Sequence, residues 1–142
     1  MTAVLRLPGL ASAGVARIGG KARGLVRLVE ADCRVPPFFV VPTEAFVEGR
    51  GIALPAAWRA SVRDALASLG DSRVAVRSSA TVEDAAAASW AGQFETVLGA
   101  RGPDEVEAAI LRCWASASAE RAAAYAALHG PIGEMAVIVQ VM

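Results

Sequence analysis

An arginine that follows a short apolar run is the residue of this chain best suited to binding an anion. Residues 74–76 are valines and alanine, Arg77 comes next, and a polar segment with several hydroxyl groups leads from Ser78 to Gly92. A guanidinium group can hold a phosphate or carboxylate through two parallel hydrogen bonds. Backbone amides near a glycine can also approach a polyphosphate closely. These residue types favour either an ordinary exposed loop after a strand or a phosphate-binding loop.

A lysine behind two glycines is the second candidate. Gly19 and Gly20 precede Lys21, and the apolar residues of the next segment recur at helical spacing. Those residues are Leu25, Leu28 and Val29. At the start of a helix, free backbone amides and the positive end of the helix dipole favour an anion. A Walker A loop needs Ser or Thr after the lysine, where this chain has Ala22. A simple glycine turn is therefore the alternative interpretation.

Four strands and three helices are predicted to position these side chains. Aromatic and β-branched residues predict a strand at 38–41, and further strands are expected up to Arg77, at 94–98 and at 135–142. The second helix is expected to begin after Pro55 and to end near Gly70, because its apolar residues form one stripe. The members of that stripe are Trp58, Val62, Ala65, Leu66 and Leu69.

The third helix is predicted to begin at 102–104 and to end near 130. Asp104 and Glu107 have the spacing of a capping box, and Cys113 and Trp114 lie on the apolar side of the helix. Strands alternate with helices around a long loop that starts at Ser78, which favours a mixed α/β layer over a purely parallel sheet. The last apolar strand runs to the final residue, so we expect the natural domain to continue beyond it.

Length and charge restrict the classes of function. A chain of 142 residues forms one domain or part of a larger one. Fourteen basic and fourteen acidic residues cancel, which argues against steering onto nucleic acid or an anionic membrane. No apolar run approaches the roughly 20 residues that span a bilayer, and the N-terminus does not have the pattern of a signal peptide. We therefore predict a cytoplasmic protein. Cys33 and Cys113 lack the spacing of a disulfide framework or a zinc site.

Five segments, in order, resemble the motifs of the N-terminal ATP-binding domain shared by phosphoenolpyruvate synthase, pyruvate phosphate dikinase and rifampicin phosphotransferase. They are Gly19-Gly20-Lys21, Val35-Pro36-Pro37-Phe38-Phe39, Val76-Arg77-Ser78-Ser79-Ala80, Ala91-Gly92-Gln93-Phe94-Glu95-Thr96 and Val137-Ile138-Val139-Gln140-Val141-Met142. The resemblance implies an α/β (α+β) fold, the first part of an ATP-grasp domain with a mixed sheet and flanking helices. Residues 1–142 would form the N-terminal, incomplete part of that nucleotide-binding domain.

The same resemblance implies roles for individual residues. Lys21 and Arg77 would hold the phosphates of ATP. A loop with Gly92, Gln93 and Thr96 would close over them. The strand that leads to the adenine-binding hinge would contribute Gln140, Val141 and Met142.

The family's Mg²⁺-binding carboxylates and its phosphohistidine domain have no counterpart in this sequence. Glu83, Asp84 and Glu95 are interpreted as a solvated loop face, and His129 as a residue at a helix end. A complete family member transfers phosphate from ATP to a histidine on another domain, and then to pyruvate or a rifamycin. This chain alone is not expected to complete that cycle. The alternative hypothesis is a non-catalytic relic or regulatory module that keeps the fold, with an exposed sheet edge that favours self-association.

Overall fold

A computed structural model describes residues 3–81, 95–116 and 134–142 of the chain. Its helices and strands are a 3-10 helix at Gly9–Ser12, α1 at Val15–Glu30, β1 at Phe38–Val41, α2 at Thr43–Glu48, α3 at Ala56–Ser68, β2 at Val74–Ala80, β3 at Thr96–Ala100, α4 at Gly102–Ala115 and β4 at Met135–Val141. None of the helices in these ranges is long and apolar enough to cross a bilayer.

The four described strands form one sheet in the order β1-β4-β2-β3. Neighbouring strands are antiparallel, with Arg77 of β2 opposite Ile138 of β4 and Phe39 of β1 opposite Val139. The predicted class, an α/β fold with helices flanking a sheet, is confirmed. The predicted final strand is β4, and it lies inside the sheet with a partner on each side. Successive residues of β4 are buried on both faces of the sheet, which explains why its sequence is almost entirely apolar.

Each face of the sheet is covered by different helices, because successive residues of a strand point to opposite faces. On the α4 face, Val76 and Val139 belong to a core shared with Trp58 of α3 and Trp114 of α4. On the α1 face, Ile138 belongs to a second core with residues of α1. The other members of this second core include Ile18, Ala22, Val26, Phe38, Val40 and Ala136. Helix α1, which contains Lys21, therefore packs on only one of the two faces of the sheet.

Strand β2 is longer than the sequence pattern predicts. The predicted end at Arg77 is wrong: pairing with β4 continues through Ser78 and Ser79 to Ala80, which lies opposite Met135. Both serines are buried, so they belong to the sheet and not to an exposed loop. Their small side chains allow this, because a hydroxyl can be accommodated between a sheet and a helix where a larger polar group cannot.

The helices agree with the sequence pattern to different degrees. Helix α3 has the predicted stripe and ends before Gly70, which has a φ of 75°. In α1 the buried residues include Ile18, Ala22 and Val26, and the predicted Leu25 and Val29 pack against the same core while partly buried. Leu28 is 46% exposed, so the prediction is wrong for that residue. The six-residue α2, which no prediction included, is too short for a periodic pattern to identify.

The predicted capping box at the start of α4 is wrong. The N-cap residue is Arg101, without a side-chain cap, and Asp104 lies inside the first turn. A carboxylate there still interacts favourably with the helix dipole. Strand β3 begins at Thr96, two residues after the predicted start. Phe94, the predicted first residue of this strand, lies outside the described residues, and so do residues 117–133, which include His129.

Candidate functional site

Arg77 lies near the middle of the sheet, on the α1 face. It is opposite Ile138 of β4 on one side and Thr96 of β3 on the other. Directly opposite residues of antiparallel strands have Cβ atoms about 4.5–5.5 Å apart and share a face, so the side chains of Arg77 and Thr96 are neighbours. Arg77 is half-buried and Thr96 is exposed. Solvent therefore reaches Thr96 and part of Arg77.

Lys21 lies in the first turn of a helical segment that starts on top of the sheet. Helix α1 is broken at Gly19, whose φ is 77° and ψ is 171°, and the chain becomes helical again from Gly20. The predicted helix is present, but α1 begins earlier than predicted, at Val15, and the two glycines lie at a break inside it. Lys21 is half-buried, and it sits where the amides of a first helical turn and the helix dipole favour an anion.

A serine of β2 fastens this helix start to the sheet. The hydroxyl of Ser79 donates a hydrogen bond to the carbonyl oxygen of Ile18 at 2.7 Å and accepts one from the amide of Ala22 at 3.2 Å. Gly19 approaches so closely that an added Cβ would lie 2.2 Å from the carbonyl oxygen of Ser79. We call Ile18, Gly19, Ala22 and Ser79 the glycine–serine contact.

The glycine–serine contact brings the two predicted cations to the same region. Ser79 follows Arg77 by two residues, so both point to the α1 face and are separated by about 7 Å along the strand. Lys21 lies between Gly19 and Ala22, which both touch Ser79. The structure therefore places Lys21 and Arg77 on adjoining elements of one sheet face. Sequence reasoning gave Ser79 no role, although Ser79 belongs to the motif at 76–80 and follows Arg77 by two residues.

The N-terminal part of α1 has a second attachment, to α2. Arg17 and Glu44 form an ion pair with an N–O distance of 2.6 Å, and the Thr43 hydroxyl donates to the carbonyl oxygen of Ala16 at 2.9 Å. The hydrogen bond from Arg17 lowers the pKa of Glu44, and the bond to Glu44 raises the pKa of Arg17. Helix α1 is thus held on both sides of its break.

The three residues expected at the adenine end lie further along β4. Gln140 is buried on the α1 face, and its side-chain amide donates to the carbonyl oxygen of Pro36 at 3.2 Å. Val141 donates its backbone amide to Pro37, and Met142 donates its own to Arg73. Met142 is 64% exposed and lies about 13 Å along the strand from the residue opposite Arg77. Since both amides are engaged, a base at this end would meet carbonyl groups and side chains.

Gly92 and Gln93, the other predicted members of the closing loop, lie outside the described residues, as do Glu83 and Asp84. Of that loop the structure describes Thr96 and the preceding Glu95. The Glu95 carboxylate accepts a hydrogen bond from Arg112 at 2.9 Å, and its carbonyl oxygen accepts one from the amide of Ser78 at 3.3 Å. The ion pair gives Glu95 a structural partner on α4.

The described residues do not fit a Mg²⁺ site. Across 3–81, 95–116 and 134–142, no three His, Cys, Asp or Glu side chains come together in a way that could hold a metal ion. Around Lys21 and Arg77 the donors are hydroxyls, amides and cations, whereas Mg²⁺ prefers carboxylate, phosphate and water oxygens.

Cys113 lies on the α4 face, behind the same strand. Its thiol is 3.6 Å from the carbonyl oxygens of both Val76 and Glu95. Burial, with a smaller contribution from the Glu95 charge, raises the pKa of Cys113 to about 12, and the charges of Lys21 and Arg112 oppose that rise. Cys113 is thus a protonated core residue, as the sequence predicts, and not a nucleophile.

A surface hollow of about 290 Å³ lies elsewhere, between α3 and the beginning of α4. Its lining includes Arg63, Leu66, Gly70, Asp71 and Gly102. None of the residues predicted to bind the nucleotide lines it, so it is separate from the site around Arg77.

Comparison with known proteins identifies the family of the chain. Residues 50–142 match the protein family described as the AMP/ATP-binding domain of pyruvate phosphate dikinase. That match includes Arg77, Thr96 and residues 140–142, and it begins after Lys21.

Individual relatives match over more of the chain. The prodigiosin synthesizing transferase PigC of Serratia marcescens is 37% identical over 99% of this chain. A rifampicin phosphotransferase of a Streptomyces species is 36% identical over 89% of it, and the phosphoenolpyruvate synthase of Aeropyrum pernix is 36% identical over 76%. The aligned part is 18% to 19% of the length of these relatives. The chain therefore spans about one fifth of the curated proteins that it resembles.

Proposed function

Because the chain belongs to the pyruvate phosphate dikinase AMP/ATP-binding domain family, we propose that it binds ATP on the α1 face of its sheet. Lys21 and Arg77 hold the phosphates in this proposal. The observation that supports it most is the pair of hydrogen bonds of the Ser79 hydroxyl, which donates to the carbonyl oxygen of Ile18 and accepts from the amide of Ala22. These bonds put the helix start with Lys21 directly over the strand that contains Arg77.

The local charge suits a polyphosphate although the whole chain is neutral. In the first turn after Gly19 the sequence has Lys21 and Arg23 and no acidic residue, and the Arg23 guanidinium lies 3.9 Å from the Glu30 carboxylate. The helix start after Gly19 adds backbone amides and the positive end of a dipole. In phosphoryl transfer a protein mainly positions groups and neutralises charge, so a lysine, an arginine and backbone donors are appropriate.

The other predicted residues complete the proposal along the same face. Thr96 adds a hydroxyl next to Arg77, and Gly92 and Gln93, which lie outside the described residues, are proposed to contribute to binding of the nucleotide as well. The adenine lies towards Gln140, Val141 and Met142, at the far end of β4. With the triphosphate at Arg77 and the base near Met142, the nucleotide would lie parallel to β4. This agrees with the distance of about 13 Å along β4 between Ile138, which is opposite Arg77, and Met142.

For the whole protein we propose a phosphotransferase in which ATP phosphorylates a histidine on another domain. The names of the relatives include a phosphoenolpyruvate synthase, a rifampicin phosphotransferase and a prodigiosin synthesizing transferase. These names point to different acceptors, so the acceptor is a property of parts of the protein outside this chain. Lys21 and Arg77 bind and orient the nucleotide, and no step of the transfer is assigned to them.

The test is titration of the chain with ATP by isothermal calorimetry. Hydrogen bonds to charged groups contribute about 1.5–3 kcal/mol, so Lys21→Ala and Arg77→Ala are each expected to weaken ATP binding by about 10- to 100-fold. Arg27→Ala, in the exposed last turn of α1, and Arg63→Ala, on the exposed side of α3, are matched controls that remove a cation outside the site. Both controls are expected to bind ATP within about twofold of the wild type.

Two results would contradict the proposal. If the wild-type chain does not bind ATP at millimolar concentration, the non-catalytic relic or interaction module becomes the better explanation. If all four variants lose the same affinity, the effect is non-specific attraction of an anion and not a site.

A further inference from the structure

We propose that Ser79 is a positioning residue for nucleotide binding, whose hydroxyl fixes Lys21 relative to Arg77. This inference rests on the proposed function, since it concerns how the same site is assembled. It predicts that the contribution of Lys21 to ATP affinity depends on a side chain that itself does not contact the nucleotide.

The two hydrogen bonds of Ser79 lie on either side of the lysine. Ile18, whose carbonyl oxygen is the acceptor, precedes the break in α1, and Ala22, whose amide is the donor, follows it. A hydroxyl can make both bonds at once, because it has one donor hydrogen and two lone pairs. The segment of Gly19, Gly20 and Lys21 is therefore fixed at both ends by one atom of β2.

The break in α1 explains why an attachment is needed. A helix start leaves several backbone amides without partners, and a side chain at the N-cap position usually satisfies one of them. Here the residue at the break is Gly19, which has no side chain. Ser79, 57 positions away from Ala22 in the sequence, provides that hydrogen bond from the sheet. The direction of the first helical turn, and of Lys21 within it, is thus set by β2.

Arg77 is placed by the same strand. It precedes Ser79 by two residues and shares its face, and its opposite residues Ile138 and Thr96 fix its register. Ser79 is fully buried beneath α1, so it acts on the nucleotide only through the groups that it holds. Loss of its hydroxyl frees the helix start while leaving the register of Arg77 intact.

Ser78 provides a matched control. It is the next residue of the same strand, it is equally buried, and it faces the opposite side of the sheet. Its hydroxyl oxygen has no hydrogen-bond partner among the described residues. Ser78→Ala therefore removes the same atom from the same strand without changing a contact to α1.

The test is a double-mutant cycle for ATP affinity, measured by calorimetry with wild type, Lys21→Ala, Ser79→Ala and the double variant. Lys21→Ala is expected to weaken binding about tenfold or more in the wild type and less than about threefold when Ser79 is already alanine. In the same cycle with Ser78→Ala, the Lys21 effect is expected to keep its full size. Urea unfolding of each variant checks that it is folded at the assay temperature.

Each outcome separates this inference from the proposed function. If Lys21→Ala weakens ATP binding by the same factor in the wild type and in Ser79→Ala, Ser79 has a structural role only and the inference is wrong, while the proposed function stands. If neither Lys21→Ala nor Arg77→Ala affects the wild type, the proposed function itself fails.

A second variant covers the case in which Ser79→Ala does not fold. Ser79→Cys exchanges only the hydroxyl oxygen for a larger sulfur and weakens both hydrogen bonds, because a thiol is a poor donor and acceptor. The cycle with this variant is expected to give the same reduction of the Lys21 effect. If neither variant folds, Ser79 is required for folding as such, and a separate positioning role is refuted.

Discussion

Replacing Gly19 with alanine tests the contact on which the site depends. Gly19 has a φ of 77° and a ψ of 171°, in a region of backbone conformations that is essentially restricted to glycine. A Cβ at this position would lie 2.2 Å from the carbonyl oxygen of Ser79 and 2.3 Å from its hydroxyl oxygen. The first of these atoms is backbone of β2 at the position that pairs with Ala136 of β4, and it cannot move aside without disturbing that pairing.

The expected cost has two parts. Holding a non-glycine residue in this conformation costs about 1–3 kcal/mol. Inserting a carbon into a packed contact costs about another 1–3 kcal/mol. The sum of about 2–6 kcal/mol is a large fraction of the 5–15 kcal/mol that stabilises a typical domain. We therefore expect Gly19→Ala to be severely destabilised, and any folded fraction to bind ATP more weakly because Lys21 is displaced.

Gly24→Ala is the matched control, because it makes the same change in the same helix. An added Cβ at Gly24 meets no atom within 4 Å, and alanine in a helix is favoured over glycine by about 1 kcal/mol. Urea unfolding followed by far-UV circular dichroism measures both variants. The reasoning is refuted if the free energy of unfolding of Gly19→Ala is within about 0.5 kcal/mol of the wild-type value, or if Gly19→Ala and Gly24→Ala have the same stability.

Two further predictions concern titratable groups. In the native protein at pH 8, a thiol reagent is expected to modify the exposed Cys33 and to leave Cys113 intact, because burial raises the pKa of Cys113 to about 12. Peptide mass spectrometry before and after unfolding measures the labelling of each cysteine. Equal labelling rates for Cys33 and Cys113 in the native protein would contradict the prediction. The pKa of Glu44 is lowered by Arg17, so the stability from this pair is present above the ordinary glutamate pKa and is lost as the pH falls through the lowered folded value. Because the side chains of Arg17 and Glu44 are 46% and 40% exposed, the loss of stability is expected to be below about 1 kcal/mol. Urea unfolding between pH 6 and 3 should show this loss in the wild type and not in Glu44→Gln. Identical pH dependence of stability in the two proteins would refute the prediction.

The elements that the sequence predicts best are those defined by local pattern. Strand β1 lies between prolines, α3 has a complete apolar stripe, and β4 is a continuous apolar run, so each is recognisable without its neighbours. The pattern is less successful where tertiary contacts decide. The extension of β2 to Ala80 depends on pairing with Met135, and the buried side of α1 depends on how the broken helix packs on the sheet.

The same distinction applies to the site. The residue types of Lys21 and Arg77 and their nearby glycines are visible in the sequence, and resemblance to known motifs adds their roles as expectations. The contact that brings them together is not visible, because Ser79 bonds to Ile18 across 61 positions. A serine in a polar segment has no local feature that distinguishes an exposed loop residue from one that fixes a helix to a sheet.

The most direct test of the central claim compares ATP with adenosine as ligands of the same protein. If Lys21 and Arg77 converge on the phosphates, the wild type prefers ATP strongly, and in Lys21→Ala/Arg77→Ala that preference falls by about 100-fold or more while adenosine affinity stays the same. A double variant that keeps the wild-type preference for ATP, or that loses ATP and adenosine affinity equally, would contradict the claim.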